Sequence, residues 1–139
     1  MMTRTKALLS IRPEITAAKI YDGISSEELF QNKTLRPIIK MQHDLFIAVF
    51  RNYIKKRKNV FLNLTLQKQL DYIDHAIQKD MKFRNALKGI IIGQFTVEEY
   101  ELYVENSSAL NKRMMTIVRE RLITNVQVFS NTPEVIQSN

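Results

Sequence analysis

The run Arg36–Lys58, RPIIKMQHDLFIAVFRNYIKKRK, decides the fold. On a helical projection of about 100° per residue, Lys40, Asp44, Arg51 and Lys55 share one narrow stripe. Ile38, Ile39, Met41, Leu45, Phe46, Val49, Phe50, Tyr53 and Ile54 cover most of the remaining circumference. A helix packed on one side needs an apolar arc of roughly 100°, and this arc is more than twice that. The run therefore predicts a helix covered from several sides, by its own chain or by a second copy. Leu45, Phe46, Val49, Phe50 and Tyr53 are its expected packing anchors. Charges recur too often for a membrane span, which needs about 20 apolar residues in succession.

Two polar side chains interrupt that arc, and His43, read as a half-buried packing residue, stands at its edge. Gln42 falls between Val49 and Tyr53, Asn52 between Met41 and Leu45, and His43 near Phe50 and Ile54. Buried amides in such positions bond a carbonyl or fix the register of a helix–helix contact. If the chain has a ligand surface in this region, Gln42, His43 and Tyr53 are the candidates.

Working outward, 139 residues with 45% apolar content are expected to form one domain with a proper core. It has an N-terminal arm over 1–24 and a loose tail over 130–139. Three glycines and three prolines are too few for a many-turned β fold. There is no cysteine, so no disulfide, thiolate metal site or thiol nucleophile exists. The first residues lack an apolar core of signal-peptide length, and a cytoplasmic protein is expected.

Start and stop signals divide the chain into helices. Residues 1–12 predict a short helix ended by Pro13. Ser25 with Glu28 reads as a capping box, with Ile24 and Leu29 as its staple, opening a helix from Ser26 to about Asn32. Pro37 suits the first turn of the next helix. Residues 59–64 read as a linker that packs down, and Thr65 as the cap of a helix whose apolar stripe runs Leu66, Leu70, Ile73, Ile77 and Met81. The stripe then jumps phase to Phe83, Leu87, Ile90 and Ile91, which predicts a kink or a new helix near Asp80. Gly93 reads as a stop. Thr96 with Glu99 reads as a second capping box, stapled by Phe95 and Tyr100, for a helix over Val97–Glu105. A last helix over about 108–129 buries Leu110, Met114, Ile117, Val118, Leu122 and Phe129. The expected fold is all-α: a compact bundle of five or six helices around a central buried helix at about 36–58.

The chemistry-bearing residues form no recognisable constellation. The two histidines, His43 and His75, have no inward Glu-x-x-His companions. Asp71 and His75 read as a solvated surface pair. Ser25, Ser26, Ser107 and Ser108 are explained as caps, and Lys88–Gly93 lacks the spacing of a phosphate loop. Neither a catalytic residue nor a metal or other cofactor is expected.

Charge is more informative. The formal net charge is +7. Between Leu45 and Leu70 stand Arg51, Lys55, Lys56, Arg57, Lys58 and Lys68 with no acid, and between Val97 and Glu105 stand Glu98, Glu99, Glu101 and Glu105 with no base. The leading expectation is a non-enzymatic helical protein that associates with itself as a dimer, with basic 51–58 and acidic 97–105 meeting across the interface or within one chain. One alternative is nucleic-acid binding through Arg51, Lys55, Lys56, Arg57 and Lys58 and a helix-turn-helix-like pair over 97–129; another is an enzyme or small-molecule binder with its pocket between helices.

The segments TLRPIIKMQHDLFIAVFRNYIKK, KFRNALKGIIIGQFTVEEYELY and ENSSALNKRMM resemble a family of short uncharacterised bacterial proteins that are sometimes labelled glyoxalase. The resemblance runs over about residues 4–129 and implies no substrate or site residue. Metal-dependent glyoxalases are built on strands bearing His and Glu ligands, a pattern this sequence does not contain.

Overall fold

The computed structural model describes residues 2–14 and 20–130. They form an all-α bundle, with no strand among the described residues. In chain order the helices are α1 (Arg4–Ile11), α2 (Ser26–Phe30), α3 (Arg36–Met41), α4 (His43–Lys56), α5 (Leu66–Gln78), α6 (Met81–Ile92), α7 (Val97–Val104) and α8 (Ser107–Thr124). A π turn, Gln31–Leu35, joins α2 to α3, and 3-10 turns follow α4 (Val60–Asn63) and α8 (Val126–Ser130). Among the described residues no helix is long and apolar enough to cross a membrane.

The caps explain most boundaries. Thr3, Ser25, Thr65, Asp80 and Thr96 each accept, through a side-chain oxygen, the N–H three residues on. The box at Thr96 closes fully, the Glu99 carboxylate accepting the Thr96 N–H in return. The expected box at Ser25 closes only halfway, because Glu28 accepts from the Tyr21 hydroxyl at 3.2 Å instead. Asp80 caps a new helix, so the phase jump in the apolar stripe is a break and not a kink.

The π turn follows from Pro37. A proline supplies no N–H, and its ring crowds the carbonyl four residues back, that of Lys33. The chain widens just before it, and the Arg36 N–H bonds Gln31 O, five residues back. Residues 26–56 thus make one nearly continuous rod, widened at 31–35 and interrupted once at Gln42, whose φ and ψ of −88° and 9° leave the helical region.

This rod is less enclosed than the sequence predicts. Ile38, Ile39, Phe46, Ile47, Phe50, Tyr53 and Ile54 are buried. Met41 and Val49 are only half-buried, Ala48 and Asn52 are exposed, and Leu45 is 45% exposed. Met41, Leu45, Ala48 and Asn52 recur at helical spacing on a single face, which the bundle leaves open. The expectation that Leu45 anchors the core is corrected accordingly. The centre is shared with α8, which touches the π turn, α3, α4, α5, α6 and α7. It buries Leu110, Met114, Met115, Ile117, Val118 and Leu122. Two adjacent methionines let one helix serve several neighbours, since the unbranched thioether fills irregular gaps.

At the other end of the rod Phe50 is the hub of an aromatic cluster. Its ring lies 4.9 Å from Phe129, 5.6 Å from Phe61, 5.8 Å from Tyr53, 6.1 Å from Phe83 and 6.2 Å from Tyr72. The linker after α4 packs down through Phe61, as its composition suggests, and the 3-10 turn after α8 returns Phe129 to the same cluster. The tail beyond residue 130 and part of the N-terminal arm, 15–19, lie outside the described residues.

Candidate functional site

A cavity of about 350 Å³ lies between α1, the α2–π-turn segment and the start of the α7–α8 hairpin. Its volume falls within the range of small-ligand and anchor-residue pockets. Leu9, Leu29, Phe30, Leu102 and Leu110 supply its apolar surface, and Glu27, Lys33, Glu98, Glu99 and Glu105 its charged groups.

Its back wall is held by Glu99. Arg12 grips this carboxylate with both terminal nitrogens, at 2.6 and 3.0 Å, while the Thr34 hydroxyl donates at 2.9 Å and the Thr96 N–H at 2.9 Å. Both oxygens are doubly engaged. Burial pushes the carboxyl up, but the Arg12, Thr96 and Thr34 hydrogen bonds, with the Arg12 charge, outweigh it and hold Glu99 below the usual carboxylate range. A carboxylate so saturated has no lone pair left for proton transfer. Its work is to bind α1 and the π turn to α7.

The front wall is α1, which buries none of its own residues. It is tied down at its two ends. Arg4 donates to Phe95 O at 2.8 Å and Gly93 O at 3.1 Å, where a cation meets the carbonyl end of α6. Arg12 donates to Gln94 O at 3.0 Å as well as to Glu99. Below, Glu27 is held by Asn106 at 2.8 Å and by Arg113 at 3.5 Å.

The cavity opens beside α7, the helix that turns apolar residues outward. Val97, Tyr100, Leu102 and Val104 are 48% to 63% exposed. Val97, Tyr100 and Val104 stand at i, i+3 and i+7, one stripe of the helix; Leu102, across the acidic row, lines the cavity with Leu9. Glu98, Glu101 and Glu105 border the stripe; all three are exposed, and none makes a hydrogen bond or ion pair among the described residues.

The residues singled out in the sequence are not brought together here. Gln42 and His43 sit at the break in the rod. The Gln42 amide reaches Ile90 O at 3.5 Å, and His43 Nδ1 lies 3.2 Å from Arg121 Nη1. Since arginine only donates, Nδ1 is the acceptor of this pair. Burial and then the nearby Arg36 charge lower the Arg121 pKa.

Tyr53 lies ten residues on from His43, about 15 Å along the helix at 1.5 Å per residue. It donates to Asp80 at 2.8 Å, and the Arg57 guanidinium stacks 3.4 Å from the centre of its ring while bonding the same carboxylate at 3.0 Å. Burial and the Asp80 bond push Tyr53 up to about 12, against the Arg57 charge.

In the basic run, Arg51 donates to Val128 O at 3.0 Å, whereas Lys55, Lys56 and Lys58 are exposed and unpaired among the described residues. In the second turn of α8, Asn111 accepts from Tyr103 at 2.6 Å and Arg113 is engaged with Gln31 and Glu27, while the Lys112 ammonium has no partner among the described residues. Within the chain the basic and acidic blocks do not pair with one another: Glu99 takes Arg12, and Arg57 takes Asp80. Among the described residues no three His, Asp or Glu side chains converge as a metal site requires.

Comparison of the chain with protein-family models, with curated proteins and with solved structures finds no match.

Proposed function

We propose that this chain is a non-enzymatic interaction protein of the cytoplasm that pairs with a second copy of itself through α7 and the adjoining cavity. The observation that carries the reading is the outward stripe Val97–Tyr100–Val104, set beside a preformed apolar cavity whose wall is braced by the Arg12–Glu99 pair. A pocket next to exposed apolar side chains is the geometry in which interface anchors seat. Charge favours a second copy as the occupant. The stripe is bordered by unpaired Glu98, Glu101 and Glu105, and the same molecule offers unpaired Lys55, Lys56 and Lys58 on α4 and just beyond it. In a two-fold pair each block meets its opposite twice.

The test is sedimentation velocity across a concentration series. A dimer is expected, weakened by added salt and abolished by Tyr100→Ser with Val104→Lys. Both positions are exposed, so this variant should keep the wild-type circular dichroism and melting temperature. A wild-type chain that remains monomeric at about a hundred times the micromolar range typical of weak pairs would remove the proposal.

A further inference from the structure

A second concave surface lies on another side of α8. It is an open cleft of about 600 Å³ between the α5–α6 corner and α8, with Lys79 and Arg84 on one wall and Lys112 and Arg119 on the other. Met81 supplies its exposed apolar surface, with the buried Ile77 and Met115 behind, and no carboxylate lines it.

The four cations are unequally committed. Arg119 is neutralised by Asp74, which takes its Nε and Nη2. Arg84 donates to Ile77 O at 3.4 Å, a neutral partner that leaves its charge uncancelled. Lys79 and Lys112 are exposed, and their ammonium groups make no hydrogen bond or ion pair among the described residues. Every ion pair among the described residues uses an arginine: Arg12, Arg57, Arg113 or Arg119. Among the described residues arginines thus make the ion pairs, while Lys79 and Lys112 stay free as hydrated point charges on flexible stems.

We infer that this cleft binds the phosphate backbone of nucleic acid without reading its sequence. Three uncancelled charges on facing walls, with no acid between them, suit an anion that extends along the groove and meets several cations in turn. Lysine binds phosphate as a point charge and needs no fixed bidentate geometry. The cleft has no aromatic ring on which an unpaired base could stack, so its cations meet the charged backbone, which carries no sequence information directly. The inference is independent of self-association, because none of its residues belongs to the α7 surface or to Lys55–Lys58.

The experiment is fluorescence anisotropy with a labelled 20-base-pair DNA duplex of arbitrary sequence, titrated in potassium chloride from 50 to 200 mM. With three phosphates engaged, log K should fall against log salt with a slope of about −3. Lys79→Ala with Lys112→Ala should weaken binding at low salt at least tenfold and flatten the slope by about 2, one for each lysine. Lys6→Ala with Lys68→Ala removes the same charge from exposed positions outside the cleft and should change both far less. Circular dichroism and melting confirm that each variant is folded. Absent binding at 50 mM salt overturns the inference. Equal losses in the two double variants also overturn it, since net charge alone would then account for the binding. So does tighter, Lys79- and Lys112-dependent binding to vesicles of anionic lipid, which would make the cleft a membrane contact.

Discussion

Arg12 and Glu99 stand 87 residues apart in the chain and meet at 2.6 Å, with side chains only 8% and 14% exposed. The pair joins an arm that buries no residue of its own to the capping box of α7. Breaking a buried pair by removing one partner costs about 3–5 kcal/mol when the other charge must stay buried. Here α1 can leave, which exposes Glu99 to water and limits the loss. Arg12→Ala is therefore expected to cost up to about 3 kcal/mol, and the loss should be local. Hydrogen exchange should show protection collapsing over Arg4–Ile11 while the amides of α8 stay slow. Uniform loss of protection would mean that α1 is integral to the core.

The same pair sets an acid limit. Glu99 titrates lower in the folded chain than in the unfolded one, so its stabilisation is complete above about 4.5, the ordinary glutamate value, and is lost as pH falls through the depressed folded value. Glu99→Gln removes that titration. A denaturant series from pH 6 to pH 3 should show wild type losing its advantage over Glu99→Gln as the pH falls. A constant difference between the two would show that the carboxylate is not stabilised by its ionised form.

Phe50 tests the other end of the molecule. It is fully buried and meets five aromatic rings, so Phe50→Ala removes both its transfer energy and the packing of the cluster. A loss of about 3–5 kcal/mol is expected by chemical denaturation. Leu45→Ala, four residues from Val49 but on the open face of the rod, should cost under about 1 kcal/mol. The contrast separates the buried face from the exposed one.

The parts of the fold that depend on neighbours in sequence were legible. Thr65 and Thr96 announce helix starts because a cap acts over three residues, the phase jump of the apolar stripe marks a kink or a new helix near Asp80, and Phe46 and Phe50 announce burial by their spacing. Long-range partnerships were not legible. Glu99 reads as a capping residue, which it is, but its bond to Arg12 depends on how α1 lies across the α6–α7 corner, and no spacing encodes that. The same holds for the cavity, since Leu9, Leu29 and Leu102 come from three separate helices. Periodicity also overstated the enclosure of the rod. It counts apolar residues around a helix, but Met41 and Leu45 show that an apolar residue need not be covered. The basic run drew attention by its density, whereas Lys79 and Lys112, 33 positions apart by their numbering, are joined only by the packing of α5 and α6 on α8.

Backbone strain marks the end of α4. Lys58 and Asn59 have φ of 60° and 58°, in the left-handed region. Asparagine tolerates this; a lysine there costs of order 1–2 kcal/mol relative to an unstrained position. Glycine removes the steric part at some cost in chain entropy. Lys58→Gly is expected to raise stability by about 0.5–1 kcal/mol, read as a higher denaturation midpoint at unchanged slope. A destabilised variant would show that the lysine side chain contributes more than its backbone conformation costs.

Tyr53 and Asp80 give the last prediction, at high pH. The phenol is buried and donates to the carboxylate, so its folded pKa of about 12 exceeds the ordinary value of 10.0. A group raised in this way supplies stability that is complete below pH 10 and is lost as pH rises towards 12. Asp80→Asn keeps a side-chain oxygen for the cap of α6 but removes the charge that tyrosinate must face, leaving Arg57 to favour ionisation. Ultraviolet titration should show Tyr53 among the late-ionising tyrosines of wild type, beside Tyr72, raised by burial, and Tyr21, raised by its bond to Glu28; in Asp80→Asn the Tyr53 midpoint should move down. It should not return fully to 10.0, because burial is the larger cause of the shift and the aromatic cluster remains. A midpoint unmoved by the substitution would assign the whole shift to burial and leave the Tyr53–Asp80 hydrogen bond without an electrostatic role.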